Sequence, residues 1–183
     1  MLNVTELGAH IDARLTRSAF RLELLDLYNV ASDGGDFHRF VAGEDGPTPG
    51  RKQPWLDRLR REATAGIHNH RVHVLKRPLN DYLRFECQWG YLLNADAGED
   101  IRILDVSERP APPGLVDHDF WLIDDEHAIR MHYDDDGRFV GAEPVPELLE
   151  AYRQSRDAAI AAAEPFADWW RDHPEEHRAN VNA

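Results

Sequence analysis

The sequence predicts a mixed α/β domain, α+β-like. Its mixed sheet ends in an antiparallel three-strand meander, is packed by helices, and is followed by a long C-terminal helix. Three observations lead there. Residues 117–143 (DHDFWLIDDEHAIRMHYDDDGRFVGAE) parse into three short strands joined by acidic turns. Upstream, strand-period runs alternate with helix-period runs, which suits right-handed parallel crossovers. Downstream of Pro146 the chain is rich in Ala and in charges spaced for i,i+4 pairing.

In chain order, residues 3–15 read as an opening helix capped by Thr5 or Asn3, with Leu7, Ile11 and Leu15 on one side. From Ser18 to Val30 the period changes to two: Phe20, Leu22, Leu24, Tyr28 and Val30 alternate with Arg21 and Glu23, which favours a strand. Asp33-Gly34-Gly35 opens a short helix carrying Phe37, Phe40 and Val41 and closed by Gly43. Residues 44–53 form a loop by composition. Pro54 then suits a helix's first turn, and Trp55, Leu56, Leu59 and Ala63 follow at helical spacing up to Gly66. Arg71 to Leu75 reads as a strand, broken by Pro78. The helix from Leu79 to Asn94 brings Tyr82, Leu83, Glu86, Trp89 and Leu93 near one another.

Ile101 to Val106 is apolar and β-branched enough for a buried strand. Residues 109–114 (RPAPPG) make a stiff surface crossing. In the meander, His118–Ile123 sets Phe120 and Leu122 against Asp119, Trp121 and Ile123. His127–Tyr133 sets Ile129, Met131 and Tyr133 against Arg130 and His132, and residues 138–143 carry Phe139 and Val140. One face of this ribbon is expected to meet a core. The C-terminal helix spans 147–172, kinked or split by Pro165, and adjacent Trp169 and Trp170 place at least one indole in solvent or against a partner. The organisation predicted is one domain: helix 1–16, α/β core 17–145, helix 146–172 and a flexible tail 173–183.

Composition narrows the function. A net charge of −13, from 34 acids and 21 bases, is repelled by phosphate backbones and disfavours direct binding to nucleic acid or an anionic membrane. A basic protein partner or a cationic ligand suits it, and a homodimer is left open. The single cysteine, Cys87, permits no intramolecular disulfide or Cys-based zinc site and reads as a small buried hydrophobe. With no signal-like N-terminus and no run of about 20 apolar residues, a cytoplasmic protein is expected.

Several motifs resolve into plainer readings. Residues 132–143 approach a calcium loop, but His132 stands where the first acid belongs and the flanks read as strands. His173-Pro174-Glu175-Glu176-His177 fits H-x-x-E-H, yet Pro174 interrupts the turn that must align the imidazoles. His68 and His70 share a strand face that His73 does not. No metal and no cofactor are assigned. The more suggestive residues are Arg84 and Glu86, charges in an apolar helix, with Arg130 and His132 facing away from Met131. With Tyr82 and Asp124 they form the candidate ligand-binding set.

Several blocks carry a resemblance: Ser18-Ala19-Phe20-Arg21-Leu22-Glu23, residues 78–86 (PLNDYLRFE), 97–102 (AGEDIR), 118–125 (HDFWLIDD), 130–134 with 137–139, and the Tyr152-Arg153 to Ala159 helix. Over residues 17–165 the chain resembles an uncharacterised actinobacterial family, domain of unknown function 6879. The resemblance implies a regulatory accessory role beside small helix-turn-helix regulators. The end of the domain is also similar to the sensor-like half of some of those regulators, which looks like a degenerate phospholipase-D-type sandwich. This chain lacks the H-x-K pair of active phospholipase-D enzymes, which puts that hydrolytic route in doubt. The expectation is therefore a non-catalytic regulatory or ligand-sensing domain that contacts a basic helix-turn-helix regulator. Two alternatives stand beside it: a hydrolase or phosphoryl-handling enzyme using Arg84, Glu86, Arg130 and His132 in one cleft, and a metal-binding module.

Overall fold

The computed structural model describes residues 1–29, 33 and 35–178. Its strands are β1 (Ser18–Glu23), β2 (His68–Leu75), β3 (Asp100–Asp105), β4 (Phe120–Ile123), β5 (His127–Tyr133), β6 (Phe139–Pro144) and β7 (Glu164–Pro165). They form one sheet in the order β6–β5–β4–β1–β2–β3–β7. The β1–β2 and β2–β3 pairs are parallel, and the other four pairs are antiparallel. The mixed sheet and its closing meander are thus as the sequence predicts.

Helix α1 (Val4–Asp12) is started by a capping box: Glu6 N–H donates to Asn3 Oδ1 at 3.0 Å and Asn3 N–H to Glu6 Oε2 at 2.9 Å. The β1–β2 crossover carries α2 (Asp36–Val41) and α3 (Gln53–Thr64). The β2–β3 crossover carries α4 (Asp81–Phe85), a π-helical turn Glu86–Tyr91, and α5 (Leu92–Asp96). With α1 and α7 (Phe166–Asp172), these elements cover the sheet face that carries Arg21, Glu23, Arg71 and His73. Helix α6 (Leu149–Ala162) covers the other face, where Tyr152 stacks on Phe120 with ring centroids 4.0 Å apart.

The differences from expectation have identifiable causes. β1 stops at Glu23, not Val30, because side chains replace the ladder beyond it. Leu24 N–H donates to Asp119 Oδ1 at 2.9 Å, and Leu25 O meets His73 Nε2 at 3.0 Å; Val30 lies outside the described residues. β2 begins at His68 because Arg17 O accepts His68 N–H at 2.8 Å and the parallel ladder starts there. The meander buries both faces: Phe120, Leu122 and Ala128 under α6, and Ile123, Ile129 and Met131 toward α1. Gly137, at φ +73°, lets the β5–β6 turn sit on the chain at Leu27, where a Cβ would come within 2.3 Å of the Leu27 carbonyl oxygen.

Pro165 does split the C-terminal helix, and the break itself pairs with β3 as β7, opposite Arg102. That turns α7 onto the sheet, so Trp169 and Trp170 are both buried. Adjacent residues need not share a helix face when the chain after them folds back. His173 stacks on Trp169 and His177 on Trp170, with centroids 4.7 and 4.0 Å apart. The tail is likewise anchored as far as Arg178, since buried Glu176 accepts Leu79 N–H at 2.8 Å. Residues 179–183 lie outside the described ones.

Candidate functional site

Two neighbouring parallel strands place ionisable side chains at every second position of a covered face. Arg21 pairs in register with Arg71, and Glu23 with His73. Such charges survive burial only as a network. Arg71 Nε and Nη2 donate to Glu99 Oε1 at 2.8 and 2.6 Å, and Nη1 to Glu23 Oε2 at 2.9 Å. Arg21 reaches Glu23 Oε1 at 3.0 Å and donates to the Tyr133 hydroxyl at 3.1 Å. The Tyr91 hydroxyl donates to Glu23 Oε2 at 2.9 Å. His73 sits with Nδ1 2.7 Å from that hydroxyl and Nε2 3.0 Å from the Leu25 carbonyl. The Tyr91 hydroxyl proton is directed at Glu23, so both ring nitrogens of His73 have an oxygen atom within hydrogen-bonding distance.

This network floors a cavity of about 330 Å³. The helix above it is α-helical until Phe85 and then takes a π turn. A single heptad face would have kept Tyr82, Leu83, Glu86 and Trp89 together. Instead Leu83, Cys87 and Tyr91 pack toward β2 and β3, Tyr82, Phe85 and Trp89 form an aromatic wall, and Glu86 and Gly90 line the cavity. π turns of this kind occur frequently at functional sites. Lys52 and Asp33, from the β1–β2 crossover, line the same cavity.

The electrostatics are uneven. Burial alone would raise Glu23, but the Arg21 and Arg71 guanidinium groups override it and hold its carboxyl at about 2. Burial, reinforced by Glu23, pushes Glu86 up to about 7. Burial also takes Asp33 up to about 6, and burial together with Arg71 lowers Lys52. Glu86 Oε2 is buried without a hydrogen-bond partner among the described residues, 3.6 Å from His73 Nδ1; Asn94 Oδ1 is likewise unpartnered, its amide nitrogen donating to Glu99.

These shifts set a pH dependence. Glu86 holds its proton more tightly in the folded chain, so it carries no penalty near pH 4.5 and destabilises increasingly as pH rises through 7. Glu23 acts oppositely: its contribution is complete above its unfolded value and is lost as pH falls toward 2. Stability is therefore expected to peak near pH 5. Glu86→Gln should gain on the wild type by about 2 kcal/mol at pH 8 relative to pH 5. Urea unfolding at the two pH values measures this, and parallel curves for the two proteins would refute it.

Of the six residues singled out in the sequence, the structure brings Tyr82 and Glu86 to this cavity. Arg84 points outward and binds the tail, with Nε donating to Glu176 O at 3.1 Å and Nη2 to Glu176 Oε2 at 3.2 Å. Asp124 is a bracket at the start of β1. It accepts from the Thr16 hydroxyl and from the backbone N–H groups of Thr16, Arg17 and Ser18, and these bonds hold its carboxyl at about 2 although burial opposes that. Arg130 and His132 lie on the α6 side, where His132 Nε2 stands 3.4 Å from Glu143. Strand alternation puts them across the sheet from Glu86, so the predicted four-residue cleft does not form.

Arg21, Lys52, Arg71, Tyr91, Asn94 and Glu99 were not singled out from the sequence. Their signal was visible in part: SAFRLE and HRVHVL each carry ionisable residues at alternate positions of an otherwise apolar strand.

The other motifs are absorbed by packing. Asp134 Oδ1 accepts Asp136 and Arg138 N–H groups within its own turn. The two imidazoles of the H-x-x-E-H stretch meet the Trp169 and Trp170 carbonyls. Among the described residues no three His, Cys, Asp or Glu side chains gather as metal ligands, and no helix is long and apolar enough to cross a membrane.

Comparison with known proteins adds one match. Residues 5–171 fit a family model described as Domain of unknown function (DUF6879). No curated protein matches the chain.

Proposed function

The chain belongs to the DUF6879 family, and from that premise we propose that it is a non-catalytic ligand-sensing domain. It takes a small charged molecule in the cavity between β1, β2 and the π turn, and it signals through contact with a basic, helix-turn-helix-type protein partner. The observation carrying the ligand reading is Lys52 and Glu86 facing one cavity, neither of them in an ion pair within 4.0 Å with the other. Pockets of this size, lined by aromatics with a few convergent polar groups, are typical small-molecule sites. The net charge of −13 supports the choice of a basic partner.

A second reading rests on the same groups. Glu86 and Asp33 are pushed up and Lys52 down, toward the neutral range where general acids and bases work. It predicts turnover with a bell-shaped pH profile that Glu86→Gln abolishes.

The sensing reading predicts that at least one small zwitterion or organic cation, at about a hundredfold excess over its Kd, raises the melting temperature by roughly 5–10 °C. It also predicts that the liganded protein co-elutes with its helix-turn-helix partner in size-exclusion chromatography. A panel of such molecules that leaves the melting temperature unchanged would overturn it.

A further inference from the structure

A second cavity of about 270 Å³ opens under α1, between Leu7 and Ile11 on one side and Met131 and Phe139 on the other. Its chemistry is apolar because its polar neighbours are already engaged. Arg58 pairs with Asp12 at 2.8 Å and Glu62 at 2.7 Å, and the Asn69 amide donates to Glu62 at 2.7 Å. This cleft and the ionic cavity share Arg21, Trp55 and Trp121 as lining. The Arg21 guanidinium lies over the Trp121 ring, 5.4 Å from its centroid, and the two spaces adjoin across these shared side chains. At the ionic end, Gly90 marks the gap between the two charges: a Cβ there would lie 3.5 Å from Lys52 Nζ and 3.6 Å from Glu86 Cγ. Among the described residues Lys52 has no acidic group within ion-pairing distance, and Glu86 has no lysine or arginine there, its carboxyl standing 3.6 Å from the His73 ring.

We propose that the ionic cavity and the apolar cleft are two ends of one binding site, and that its ligand is an amphiphile: an amino-carboxylate head carrying an apolar tail. The inference rests on the ligand-sensing reading above and extends it by naming the ligand class. The ligand's carboxylate meets Lys52, its ammonium meets Glu86 within the aromatic wall, and the tail passes Trp55 and Trp121 to lie under α1. A singly charged head leaves either Lys52 or Glu86 unmatched in a partly desolvated cavity. A headless apolar molecule leaves both unmatched.

Two glycines make this testable. Gly8 and Gly90 both lie in helical segments without positive φ, and a Cβ at Gly8 meets nothing within 4 Å. Gly8→Leu therefore fills the cleft and Gly90→Leu fills the head cavity, with circular dichroism and melting temperature confirming the fold; Gly90→Ala is the milder substitute should the larger side chain unfold the turn. Isothermal titration of the full chain would use L-alanine, L-norleucine and L-2-aminooctanoic acid, with octanoate and octylamine as singly charged controls.

In the wild type, affinity is expected to rise about three- to fourfold per added methylene, with both controls at least tenfold weaker than 2-aminooctanoic acid. Gly90→Leu is expected to remove binding of all three amino acids, and Gly90→Ala to weaken all three alike. Gly8→Leu is expected to keep the alanine affinity and bring 2-aminooctanoic acid down to it. Alanine binding with no dependence on chain length overturns the two-part site and leaves the ligand-sensing reading standing. Controls that bind as tightly as the amino acid overturn the zwitterionic head. Silence from all three amino acids overturns the inference, while the ligand-sensing reading is judged by its own wider panel.

Discussion

Arg71→Ala is expected to lower the free energy of unfolding by about 3–5 kcal/mol, a large share of what holds a domain of this size together. The guanidinium is buried and is bonded to two buried carboxylates, Glu23 and Glu99. Removing it leaves both in a space from which water is largely excluded, with Arg21 as the remaining guanidinium on Glu23. The cost comes from those abandoned charges more than from the lost hydrogen bonds. Urea unfolding followed by tryptophan fluorescence gives the number. The triple substitution Glu23→Gln, Arg71→Met, Glu99→Gln is expected to recover most of the loss, since a neutral, well-packed replacement avoids the desolvation penalty. A loss below about 1 kcal/mol for Arg71→Ala would mean that water reaches the cluster, and the rigid floor assigned to the ligand cavity would go with it.

Trp169→Ala should be comparably damaging, at about 3–5 kcal/mol. The indole is fully buried among Ile101, Ile103, Leu83 and Phe166, and its Nε1–H donates to Asp105 Oδ2 at 3.3 Å. Its removal leaves a void between β3 and α7 and loosens the tail, because His173 stacks on it and Nδ1 of that ring meets the Trp169 carbonyl at 2.8 Å. Thermal unfolding measures the loss, and limited proteolysis after residue 165 reports the loosened tail. Trp169→Phe is expected to retain roughly half of the stability lost by alanine. A small effect in both assays would make the C-terminal helix peripheral, contrary to its place against the sheet.

Much of this architecture is legible locally. The meander is readable because alternation and acidic turns are properties of neighbouring residues: Phe120 and Leu122 do face one way, and Trp121 and Ile123 the other. The first helix announces itself through Asn3 and Glu6, and α3 through Pro54. The family blocks recognised across residues 17–165 lie within the matched span 5–171. The burial of both tryptophans is not legible, because it depends on Pro165 turning the chain into an edge strand. The six-residue ligand set fails in part for the same kind of reason. Arg84 and Asp124 find partners 92 and 108 residues away, and no local pattern announces a partner at that distance.

By itself, then, the sequence determined the order and type of the elements apart from the π turn and β7, the meander's alternation, the start of the first helix and the acidic surface, all of which follow from composition, short-range sterics, hydrogen bonding and period. Only the tertiary structure decided where the charges meet. Arg21 and Glu23 join Arg71 across about 50 residues because β1 and β2 pair in parallel in one register, and Glu86 faces that cluster because a π turn rotates the helix above it. The physical reason is that burying a charge is tolerable only beside its counter-charge. That condition is met in the folded core, between residues the chain order keeps apart.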